Sequence, residues 1–169
     1  MDTDKRFIIF LDFDGVLCTL RQSMAVGDKG LLGCLDPVAL DFLDRICREN
    51  KVWVIISSTW RIGAKCSMFH KIFKATGHFY LTKSLYWDDY ATIGSKTGHR
   101  GGEIEDWLKR NDATVKDYLI LDDETDMLDY QMSRLVKTDC RNGILFDNYI
   151  DIEKRIKRAF DVEYDPYSG

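Results

Sequence analysis

The chain has 169 residues, 45% hydrophobic and 31% charged, and its 24 Lys and Arg against 28 Asp and Glu leave a net charge of −4. That length suits one domain with a real core. The mild acidic balance argues against broad, non-specific clamping of nucleic acid, though it leaves room for a local basic groove.

The elements alternate along the chain. Residues 7–11 form a short, continuous apolar run, which predicts a buried strand. The segment 19–35 is Gly-rich and irregular, long for a loop, and reads as a flap. Asp36-Pro37 then gives an N-cap and a first-turn proline, followed by a stripe of Val38, Phe42, Leu43, Ile46 and Cys47, with Asn50 as the stop. Residues 52–56 predict a second strand. Residues 61–75 carry Ile62, Cys66, Phe69, Ile72 and Phe73 at helical spacing. A weak strand is expected around 79–81, and 82–99 is a second irregular stretch. Residues 101–109 read as a helix with Ile104, Trp107 and Leu108 inward. A third strand covers 118–121, Thr125 caps a short helix through Met132, a weak strand lies near 135–136, and 150–160 forms a basic amphipathic helix. One domain over 1–160 and a loose tail over 161–169 follow.

Strands alternating with helices imply a mainly parallel sheet with helices on both faces. Ligands of such sheets bind beyond the carboxyl ends of the strands. Here the strands end in Asp12, in Ser57-Ser58 and in Asp122-Asp123, so these polar residues are expected on one rim. Asp12 and Asp14 share a side of an extended chain, where two carboxylates at 4 Å repel by roughly 4 kcal/mol at an effective dielectric of 20. A turn explains a single Asp-x-Asp-Gly; a second acid pair at another strand end points to a cation. Oxygen ligands without His or Cys suit Mg²⁺ rather than zinc.

The cysteines number five with no C-x-x-C pair, which predicts reduced thiols in a cytosolic protein. The histidines (His70, His78, His99) lack the i, i+4 spacing of a helical zinc pair. The acidic start Met1-Asp2-Thr3-Asp4 and the shortness of the apolar runs predict a soluble, cytoplasmic chain with no membrane contact.

Four stretches together resemble the haloacid dehalogenase (HAD) superfamily of phosphotransferases: "IIFLDFDGVL", "VWVIISSTW", "HRGGEIEDWL" and "YLILDDETD". The resemblance implies a three-layer Rossmann-like (HAD-like) fold and a Mg²⁺-dependent phosphoric monoester hydrolase. Asp12 would be the nucleophile that forms an aspartyl-phosphate. Asp14 would be the acid that protonates the leaving oxygen and then the base that activates water, with its backbone carbonyl on the metal. Gly15 would let the chain turn under the phosphate. Ser57, with Ser58 beside it, would donate to phosphoryl oxygens, although Ser at a strand end also caps helices. Asp122 and Asp123 would hold or orient Mg²⁺, and the sequence leaves open which one ligates directly.

Lys96 and Arg100 both precede the third-motif helix. Arg100 fits better, directly before the Glu103-Ile104-Trp107-Leu108 pattern, where a guanidinium can grip phosphate in bidentate fashion; Lys96 is the alternative. Asp126, one turn beyond Asp122, either steadies the basic residue or is a favourable first-turn acid.

The short interval from Asp14 to Ser57 leaves no room for a large cap domain, so the rim is open to a large substrate. "SSTWR", "RGGEIEDWL" and "YLILDDETDM" are similar to the HAD domains of RNA-repair enzymes and to the phosphatase half of polynucleotide kinase-phosphatases. That implies a nucleic-acid 3′ end as substrate, with Arg61 joining the phosphate-binding set and Arg21, Arg61, Lys65, Lys83 and Trp87 as a strand-binding surface. A small phosphorylated metabolite or nucleotide, and a non-catalytic HAD-like binding module, are the other readings. No obligate protein partner is implied.

Overall fold

The computed structural model describes residues 5–27, 30, 32–94 and 98–161. Its sheet has four parallel strands: β1 (Arg6–Leu11), β2 (Val52–Ile56), β3 (Val115–Asp122) and β4 (Leu135–Lys137), in the order β2-β1-β3-β4. The helices are α1 (Leu20–Val26), α2 (Pro37–Glu49), α3 (Cys66–Ala75), α4 (Phe79–Ser84), α5 (Arg100–Asn111) and α6 (Phe146–Ala159).

Side chains of β1 alternate between two cores, as the period of two requires. Phe7, Ile9 and Leu11 pack with Leu40 and Leu43 of α2, Phe69 and Phe73 of α3, and Ile152 and Ile156 of α6. Ile8 and Phe10 face the other way, onto Ile104 and Trp107 of α5. The central strand is therefore covered on both sides, which is the three-layer arrangement its unbroken apolar run predicts. Trp107 is fully buried and sets its ring edge-on to Phe10, with centroids 5.3 Å apart. Its Nε1–H donates to the Asp89 carbonyl at 2.8 Å, so the burial of a large aromatic leaves no orphaned donor.

Asp36 caps α2 as predicted, accepting from the backbone N–H groups of Val38 and Ala39. Val38, expected inward, is exposed; Ala39, Leu40, Leu43, Ile46 and Cys47 carry the buried face. Other expectations differ from the structure. Residues 79–81 belong to α4, not to a strand. Leu81 and Ser84 bury one side there while Phe79 and Tyr80 face solvent, and Leu81 N–H donates to Asp44 on α2. The sheet is instead extended beside β2 by isolated bridges, Val54 to Leu85 and Ile56 to Ala91. The helix expected over 61–75 begins only at Cys66. Thr59–Arg61 is a separate 3-10 turn, because the Arg61 guanidinium folds back onto the carbonyls of Ser57 and Ser58. Thr125 caps nothing; a 3-10 helix spans Asp129–Arg134.

Among the described residues the interval between β1 and β2 holds α1 and α2, with no large cap over the rim. Cys18 and Cys34, expected as free thiols, are joined as a disulfide with Cα atoms 4.7 Å apart. Cys18 also bridges antiparallel to Leu35. No helix among the described residues is long and apolar enough to cross a membrane. Lys96 and most of the predicted tail lie outside the described residues.

Candidate active site

Strand register builds the site. Leu11 pairs with Ile56 on one side and with Leu121 on the other. One residue further, Asp12 N–H donates to the Leu121 carbonyl at 3.0 Å and Ser57 N–H to the Leu11 carbonyl at 2.9 Å. Asp12, Ser57 and Asp122, distant in sequence, thus meet on one rim.

Carboxylate oxygens of Asp12, Asp122 and Asp123 all lie within 4.8 Å of one another, and the group could hold a metal ion. Asp12 is 5% exposed and Asp122 0%. Burial, reinforced by the nearby charge of Asp12, pushes the Asp122 carboxyl up to about 7, against the opposing pull of Arg100. Asp123 is shifted upward too, by burial and then by Asp12 and Glu124. Such crowding is costly for a fold; a divalent cation relieves it, and the all-oxygen donor set fits Mg²⁺.

Gly15 is the hinge of this arrangement. It sits at φ +72°, the left-handed region that favours glycine, and a Cβ there would lie 2.2 Å from Asp123 Cγ. Its carbonyl accepts from Thr138 Oγ1 at 2.8 Å, a buried tie with no local sequence signal. Asp14, one residue earlier, points outward and is exposed; Trp60 Nε1–H donates to its Oδ2 at 3.1 Å.

Arg100 opens α5 and reaches into the cluster. Its Nη1 lies 3.0 Å from Asp12 Oδ1 and 2.8 Å from Asp122 Oδ2, with the side chain only 14% exposed. Burial opposes its charge, but the two acids outweigh burial and hold its pKa above the ordinary arginine value. The start of α5 is fixed from below. Asp126 accepts from the Arg100 N–H through its side chain and from the Gly101 N–H through its carbonyl. Gln131, fully buried, donates to the Gly101 carbonyl and accepts from the Leu128 N–H. A Cβ on Gly101 would meet Leu128 N at 2.5 Å, so only glycine lets this segment approach. Asp126 therefore steadies the basic residue by its backbone; Gln131 had no sequence signal.

Ser57 and Ser58 differ in role. Ser58 Oγ accepts from Trp60 N–H and caps the 3-10 turn. Ser57 Oγ is buried and has no hydrogen-bond partner among the described residues. A buried hydroxyl without a partner costs roughly 1–3 kcal/mol and is a ready donor for an incoming oxygen.

Arg61, predicted among the phosphate-binding residues, engages partners of the protein itself. Its guanidinium donates to the carbonyls of Thr92, Ser57 and Ser58 at 2.8, 2.9 and 2.7 Å and pairs with Glu103. It braces the loop that carries Ser57, within electrostatic reach of Asp12 and Arg100. Of the expected strand-binding surface, Arg21 pairs with buried Asp36 at 2.7 Å and Lys83 lies over the Phe79 ring, and both residues stay exposed. Lys65 and Trp87 are exposed, with Trp87 resting on His70.

No curated protein and no solved structure matches this chain. Residues 8–148, which contain every described member of the site, match the family described as the HAD domain in Swiss Army Knife RNA repair proteins. The chain belongs to that family of HAD domains.

Proposed function

We propose that the protein is a Mg²⁺-dependent phosphatase working through an aspartyl-phosphate on Asp12, with phosphate monoesters at nucleic-acid 3′ ends as its substrate class. The observation that carries this reading is the convergence of Asp12, Asp122 and Asp123 beside Arg100. The unpartnered Ser57 hydroxyl stands on the same rim.

Asp12 is the carboxylate at the end of the central strand, and Arg100 holds one of its oxygens so that the other can attack phosphorus. The P–O bond to the leaving group breaks, and the leaving oxygen takes the proton of Asp14. In the second half, Asp14 takes a proton from water as that water attacks phosphorus; the Asp12–phosphorus bond breaks and phosphate leaves. Ser57 donates to a phosphoryl oxygen throughout. Mg²⁺, held by Asp12, Asp122 or Asp123 and the Asp14 carbonyl, would neutralise developing charge on the phosphoryl group. Gly15 keeps the chain close enough to Asp123 for these ligands to share one ion.

The 3′-end assignment is supported by the uncapped rim and by the RNA-repair context of the family. The test is turnover of an aryl phosphate, dependent on Mg²⁺, silenced by EDTA and abolished in Asp12→Asn. A screen of 3′-phosphorylated oligonucleotides against sugar phosphates and nucleotides then tests the substrate class. Preference for the small esters would overturn the 3′-end reading, and no turnover of any ester would favour a binding module.

A further inference from the structure

Trp60 stands beside the loop that carries Asp12 and Asp14. Its indole stacks on Phe13, with ring centroids 4.7 Å apart and planes at 28°. Phe13 is itself fully buried against Phe69 and Phe73. The backbone of Trp60 is held by the Ser58 hydroxyl and by the 3-10 turn that half-buried Arg61 closes. The indole is thus fixed on a rigid base, and its Nε1–H is aimed at Asp14 Oδ2, 3.1 Å away. Asp14 is exposed, and an exposed carboxylate samples several rotamers. Among the described residues, Trp60 is the side chain that restrains it.

We propose that Trp60 is a positioning residue for Asp14. The proposal rests on the phosphatase reading above and adds a part to it. The indole N–H ties one carboxyl oxygen and leaves the other for proton exchange with the leaving oxygen and then with water. A general acid contributes only when its proton lies within hydrogen-bond reach of the leaving atom. Misplacement by about 1 Å can cost about 100-fold. The Phe13 stack supplies the rigidity and the N–H supplies the aim; phenylalanine would keep the first and lose the second.

The leaving group distinguishes this role from plain packing. Dinitrophenolate departs without a proton, whereas an alkoxide needs one. The experiment measures single-turnover formation of the phosphoenzyme by the full chain with Mg²⁺, using dinitrophenyl phosphate and β-glycerol phosphate, for wild type and Trp60→Phe. The expected result is a rate within about 2-fold for the dinitrophenyl ester and a loss of about 10-fold or more for the alkyl ester. In an Asp14→Asn background, Trp60→Phe should add no further loss. Equal losses on both esters, no loss on either, or an undiminished loss in the Asp14→Asn background would overturn the proposal. A wild-type chain inert toward both esters would instead fail the phosphatase reading. The contact is then judged by the ¹⁵N–¹H resonance of the Trp60 indole, which should move on Asp14→Ala; a resonance that stays in place overturns the positioning role independently of turnover.

Discussion

Replacing Arg100 by methionine removes the cation that, among the described residues, bridges Asp12 and Asp122 while keeping most of the side-chain volume. Both acids are almost fully buried, and stripping a buried charge of its partner costs about 3–5 kcal/mol. Urea denaturation in EDTA measures this. With a slope of about 2 kcal/mol/M, the midpoint of Arg100→Met should fall by about 2 M. The loss depends on pH. The Asp122 carboxyl stands at about 7 in the fold, above its ordinary 3.8, so the folded chain binds that proton more tightly than the unfolded chain. Metal-free stability from this group is therefore greatest below about pH 4 and declines as pH rises toward 7. Without Arg100, which lowers this pKa, the decline continues to higher pH, at about 1.4 kcal/mol per additional unit. Mg²⁺ supplies the missing positive charge, so it should stabilise Arg100→Met more than wild type. An unchanged midpoint in EDTA, or a smaller Mg²⁺ effect in the variant, would refute the electrostatic account of the cluster.

Two further changes probe the scaffold under the site. Gly15→Ala places a methyl 2.2 Å from Asp123 Cγ at a positive φ, so it should weaken Mg²⁺ binding at least 10-fold by calorimetry, through displacement of the Asp123 carboxylate; wild-type affinity would remove Gly15 from its hinge role. Arg61→Lys keeps the charge but cannot reproduce the fork onto Thr92, Ser57 and Ser58. The Ser58 carbonyl keeps the backbone N–H of residue 61; at about 1–3 kcal/mol for each of the Thr92 and Ser57 carbonyls left unpaired and about 2–4 °C per kcal/mol, Tm should drop by about 5 °C or more. A Tm within 2 °C of wild type would show that the fork bears little of the loop's stability.

The rim was legible because strand ends are local signals. An apolar run that stops at Asp12, and another that stops at Asp122, need only the rule that parallel strands share their carboxyl ends. Arg100 was legible for a similar reason: it stands one residue before an amphipathic pattern, so it must begin a helix near that rim. The supports beneath were not legible, because each joins residues far apart. Arg61 braces Ser57 through Thr92 and Glu103, Gln131 fixes Gly101 from 30 positions away, and Thr138 reaches Gly15. Nothing in the local spacing of those residues announces a partner. The segment at Phe79 failed differently: three aromatic or aliphatic residues are too few to separate period 2 from period 3.6, and packing on α2 decided for the helix. Cys18 and Cys34 carry no spacing signal, since their approach depends on how the intervening segment returns.

The proposed mechanism requires Asp12 to carry the phosphoryl group during turnover. In Asp14→Asn the second half-reaction lacks its base, so the intermediate should accumulate with dinitrophenyl phosphate and Mg²⁺. Rapid acid quench, borohydride reduction of the acyl phosphate to homoserine and peptide mass spectrometry locate it. Homoserine is expected at position 12 and absent in EDTA; label at another residue, or turnover with no labelled carboxylate, would rule out Asp12 as the nucleophile.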